Sequence, residues 1–209
     1  MVLKGKLERG KPKIYLFLGG HGKPYNNPDA AIASEDKDLI AATKKIQKQT
    51  KWIAGKRKIM VVECTYLDMR KNCYDSDLNL SEEKVKKNYD DMNIFFPSIK
   101  EKIISGEKIQ DHEWNYATIL MKFAKNEGYY DFVFETPNFD ILWRYLSEIE
   151  NMEEIQNQRD RLLVNQLREL IDRNPDKILI VVRGSQHEKW LPSLLTEGGL
   201  AYKLFHYQT

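Results

Sequence analysis

The sequence predicts an α/β fold: a mostly parallel central sheet of about five strands with helices on both faces. Two observations carry this. Short apolar runs recur along the chain, and longer stretches with helical spacing separate them. That alternation gives β-α-β-α-α-β-α-α-β-α-β, the pattern of a parallel sheet joined by helical crossovers. The 209 residues fit one domain, 1–209, with a helical insertion at about 72–128.

Lys13–Leu18 (KIYLFL) is a β-rich run ended by Gly19-Gly20, so it reads as a buried strand. Ser34–Trp52 opens with Ser34 and Asp36 and carries Leu39, Ile40, Thr43 and Ile46 at helical spacing. Lys58–Glu63 (KIMVVE) is a second buried strand. Tyr66–Leu80 is polar and reads as a loop. Ser81–Ile104 reads as a helix that Pro97 should break or kink. Glu113–Asn126 is a helix closed by Gly128, and Tyr130–Glu135 a strand. Phe139–Glu150 and Met152–Arg173 are helical, the second with Ile155, Leu162, Leu163, Leu167, Leu170 and Ile171 on one face. Lys177–Val182 (KILIVV) is a strand, His187–Thr196 a short helix, and Leu200–Tyr207 the last strand. The strands at 13–18, 58–63, 130–135 and 177–182 are expected to be central.

Composition narrows the function classes. With 33 basic and 31 acidic residues the net charge is +2, which excludes a strongly basic nucleic-acid binder as the organising theme. The basic clusters at 44–58 and 84–87 read as solvated helix faces, so nucleic acid is not an expected partner. Cys64 and Cys73 cannot build a disulfide framework and read as reduced thiols. The longest apolar runs hold about five residues, far below the ~20 that span a bilayer. A cytoplasmic protein with no membrane partner is expected, and a homo-oligomer is left open.

In parallel sheets ligands bind beyond the carboxyl ends of the strands. There the sequence places His21, Glu63, Glu135 and His187 as candidate catalytic residues. Arg159, Arg183 and Gly184 are candidate substrate-binding residues. His21, Glu63 and His187 could hold a divalent metal such as Mn, Co or Zn, with an open position for water. Without metal, a histidine near its ordinary pKa of about 6.5 could act as general base. His187, in a strand-end loop, is expected to be partly exposed. A Cys64 nucleophile is disfavoured, because the adjacent Glu63 would raise its pKa.

Three stretches resemble the TraB, Tiki, ChaN and erythromycin-esterase superfamily. They are LFLGGHG (16–22), VVECTYLDMR (61–70), and QRDRLLVNQLRELI followed by ILIVVRGSQHEKWLPSLLTEGGLAYKL. The resemblance covers both ends of the chain and leaves 72–128 unmatched. It implies the sheet architecture above. It also implies a hydrolase acting on a small molecule or peptide, either metal-dependent as in Tiki-like peptidases or using a histidine base as in erythromycin esterases. ChaN-like members bind haem, so the resemblance admits a non-catalytic, ligand- or protein-binding role as well.

Overall fold

In the computed structural model the described residues are 12–19, 37–53, 57–63, 73–114, 116–135 and 138–207. They form five strands: β1 (Ile14–Gly19), β2 (Lys58–Val62), β3 (Asp131–Phe134), β4 (Ile178–Gly184) and β5 (Tyr202–Tyr207). The α-helices among them are α1 (Lys37–Thr50), α2 (Glu82–Ser105), α3 (Tyr116–Asn126), α4 (Phe139–Ser147), α5 (Met152–Arg173) and α6 (Leu191–Glu197). All five strands share one sheet in the order β3-β2-β4-β1-β5. Every neighbouring pair is parallel. The α/β class and element order therefore stand as the sequence predicts.

Each face of the sheet has its own core. Tyr15 and Phe17 of β1, Met60 and Val62 of β2, and Ile180 and Val182 of β4 pack with apolar residues of α1 to α4. The alternate residues of the same strands pack under α5 and α6: Ile14, Leu16, Leu18, Ile59, Val61, Leu179 and Val181. The period-2 alternation of strand side chains produces this division. It also explains why these strands read as unbroken apolar runs: both faces are covered.

Several expectations change. The strand at 130–135 is not central. It forms the edge strand β3, because sequence order alone does not fix spatial order. Pro97 does not end its helix, and α2 runs through it. Pro97 and Asn93, whose carbonyl the missing N–H would have bonded, both face solvent. Phe96, Ile99 and Ile103 meanwhile anchor the buried side. The helix expected from Glu113 begins at Tyr116, after a short 3-10 turn at Asp111–Glu113. Leu162 is 40% exposed, whereas Ile155, Gln156, Arg159, Asp160, Leu163, Val164 and Leu167 are the buried face of α5. Ser34, Asp36 and Cys64 lie outside the described residues.

Candidate functional site

Three strands deliver charged residues to one level of one face. Val133 of β3, Val61 of β2 and Val181 of β4 are register partners and belong to the α5 side of the sheet. Two residues further along each strand the side chain returns to that face. Those positions are Glu135, Glu63 and Arg183. The apolar ladder thus gives way to a charged row at the carboxyl edge. Register is held there by the Glu135 N–H, which donates to the Val62 carbonyl at 2.9 Å. On the other side of β4, Leu18 pairs with Arg183 and Gly19 with Gly184.

Helix α5 runs across this row and adds Gln156, Arg159 and Asp160, all buried. Arg159 donates to both oxygens of Glu135, through Nε at 2.6 Å and Nη2 at 2.7 Å. The same Nη2 lies 3.1 Å from Glu63 Oε1. The two-point pairing therefore goes to Glu135, while Glu63 is shared. Arg183 is wholly buried. Its Nη1 donates to the Val182 carbonyl at 2.8 Å, and its Nη2 lies 3.8 Å from Glu135 Oε2.

His187 completes the arrangement. Nε2 lies 3.1 Å from Glu63 Oε1, and Nδ1 is hydrogen-bonded to Asp160 Oδ1. Gln156, one turn before Asp160, donates from Nε2 to Asp160 Oδ1 at 3.3 Å and lies 2.9 Å from Nδ1. The Gly184 N–H donates to Glu63 Oε2 at 3.2 Å. Gly184 has φ −62°, a backbone conformation open to any residue.

The sequence-based expectation of a partly exposed His187 is corrected: it is 2% exposed. Burial pulls the imidazole pKa down. The Glu63 charge and the hydrogen bonds to Asp160 and Glu63 outweigh that and raise it to about 9. At neutral pH the ring is thus a cation, not the near-neutral base expected from its residue type. Glu135, Glu63 and Asp160 then face Arg159, Arg183 and the imidazolium, three negative groups against three positive. That balance is what a buried charge cluster requires.

Glu63, Glu135, Arg183, Gly184 and His187 are brought together as the strand-end argument expects, and α5 brings Arg159 to them. His21 lies outside the described residues. Asp160 and Gln156 are the additions. Their signal was present: both are polar residues in phase with Leu163 and Leu167 on the buried face of α5.

The described side chains do not by themselves fit a divalent metal. Glu63 Oε1 already faces a guanidinium and an imidazole nitrogen, and both Glu135 oxygens face Arg159. Among the described residues no group of three His, Cys, Asp or Glu is arranged to hold a metal ion, whereas a catalytic zinc takes three protein ligands. No described helix is long and apolar enough to cross a membrane. No protein-family profile, curated protein or solved structure matches the chain.

Proposed function

We propose that this protein is a hydrolase of the TraB, Tiki and erythromycin-esterase type, acting on an ester, amide or phosphate-type bond in a small molecule or peptide. The observation that carries the reading is His187 gripped between two carboxylates, one at each ring nitrogen, at the carboxyl edge of a parallel sheet. A cationic imidazole is suited to general-acid work: it donates a proton to a leaving group and is recharged by the proton of the attacking water, passed on by Glu63. Arg159 holds Glu63 and Glu135 in place. The ends of β1 and β4 pair through Gly19 and Gly184, neither of which carries a side chain. A cytoplasmic location belongs to the same proposal.

The test is turnover of generic ester, peptide and phosphate substrates, with and without Mn, Co or Zn. His187→Asn is expected to lower the rate by ~10² or more. An equally active variant would remove His187 from the mechanism. Turnover only with added metal would overturn the metal-free acid–base form of this reading.

The second reading is a non-catalytic binding protein of the same fold. The observation favouring it is that each described charged group in the cluster is less than a tenth exposed. Absence of turnover under every metal condition would select it.

A further inference from the structure

The two grips on the His187 ring are unequal. On the Nε2 side, Glu63 has other donors: Arg159 Nη2 at 3.1 Å on Oε1 and the Gly184 N–H at 3.2 Å on Oε2. If Nε2 gives up its proton, Glu63 stays hydrogen-bonded. On the Nδ1 side, Asp160 is wholly buried. Besides the ring, its Oδ1 takes the long 3.3 Å hydrogen bond from Gln156, and its Oδ2 has no hydrogen-bond partner among the described residues. Loss of the Nδ1 proton would let the Gln156 amide nitrogen, 2.9 Å from Nδ1, donate to the ring, and would leave the buried Asp160 carboxylate only that shared amide as a donor among the described residues. Stranding a buried charged acceptor costs its full desolvation penalty, whereas trading one of several bonds costs little.

We propose that Asp160, steadied by Gln156 one turn earlier on α5, is a positioning residue that keeps Nδ1 protonated, so that Nε2 is the nitrogen that releases and recovers the proton. The inference rests on the acid–base reading above and deepens it by fixing the working atom. In the step, the Nε2–H bond breaks and its proton passes to Glu63 Oε1 or to the leaving group. The ring goes from cation to the neutral Nδ1–H tautomer, and nothing is oxidised or reduced. The tautomer of a histidine is set by the hydrogen bond its other nitrogen makes. An unconstrained neutral imidazole favours Nε2–H, so the site predicts the opposite of the solution preference. Among the described residues the groups facing the ring are Glu63 from the end of β2 and Gln156 and Asp160 from α5. Arg159, Glu135 and Arg183 lie behind Glu63.

The test is the ring-nitrogen NMR shifts of His187 in the 15N-labelled full chain, followed through its titration. The expected alkaline form has a protonated Nδ1 and a bare Nε2; the reverse pattern overturns the proposal, and this measurement needs no variant. Asp160→Asn keeps a carbonyl acceptor and removes the charge. It should retain the tautomer and lower the titration midpoint by about 1–3 pH units. An unchanged midpoint would overturn the role of Asp160. Gln156→Ala removes the second donor from Asp160, strengthens it as an acceptor, and should move the midpoint up. A fall would overturn the role of Gln156. None of these readings needs turnover, so failure to find a substrate would count against the hydrolase and leave the ring assignment decided.

Discussion

Strand β2 carries a buried charge at each end, and the two ends handle it differently. Lys58, at the start, is 4% exposed. Its ammonium donates to the Glu127 carbonyl at 3.4 Å and lies over the Tyr129 ring, 4.3 Å from the centroid. Burial lowers the Lys58 pKa, and the Glu127 charge raises it only in part. Tyr129, buried beneath it, is pushed up to about 12 by the same desolvation, with its hydrogen bond to Thr50 opposing. Five residues later Glu63 sits in a run of alternating charge: Glu135, Arg159, Glu63, His187, Asp160. A lone buried charge yields to desolvation, whereas each inner member of an alternating chain has an opposite charge on both sides. The Lys58 end is a packing solution. The Glu63 end is a device that holds ions in place.

The sharpest break in this contrast is Arg159→Met. It removes the cation shared by two buried carboxylates and should destabilise the fold by about 3–5 kcal/mol, read by urea unfolding. A loss below 1 kcal/mol would mean that the chain of charges is not coupled as its distances imply.

Next comes pH. The folded-state pKa of His187 is raised, so its stabilisation is fully present below the unfolded value near 6.5 and is lost as pH climbs through about 9. About two and a half pH units at roughly 1.4 kcal/mol each give a decline of order 3 kcal/mol between those limits. Thermal unfolding at pH 6.5, 8 and 9.5 measures it, and His187→Asn should flatten the slope. A wild-type curve as flat as the variant's would show that the ring is neutral in the fold.

The smallest effect is expected at the other end of the strand. Lys58→Met keeps the stem and discards a charge held by one long hydrogen bond and a ring face. Its effect on stability should stay within about 1 kcal/mol in either direction. A cost comparable to that of Arg159→Met would make the two ends equivalent.

The fold was legible because β1, β2 and β4 are apolar runs with their own punctuation and each crossover has helical spacing. Strand position was less so: Tyr130–Glu135 reads as apolar as its neighbours, and its place at the edge is settled only by pairing. Half of the site was legible for the same topological reason. Residues that follow parallel strands gather at one edge, and Glu63, Glu135, Arg183 and His187 do so. What the helix contributes was harder to see. Arg159 and Asp160 stand out in the sequence, but Gln156 is recognised only by extending the Leu163 and Leu167 stripe backwards by one and two turns. A position after a strand end reads as contact with water, and for His187 that reading fails. Gln156, Asp160 and Glu63 enclose the ring instead.

The level row of Glu135, Glu63 and Arg183 also acts as a proofreading mark for assembly. The inner strands β2 and β4 are mostly valine, isoleucine and leucine, which tolerate exchange with one another. Sliding β2 by one position against β4 would still bury apolar side chains on both faces. It would, however, turn Glu63 away from Arg159 and His187 and into the opposite core, among Phe17 of β1 and Ile180 and Val182 of β4, with no counter-ion. The apolar runs supply most of the driving force for collapse and say little about alignment. The charges past their ends contribute less to cohesion and discriminate the native alignment from its nearest competitors.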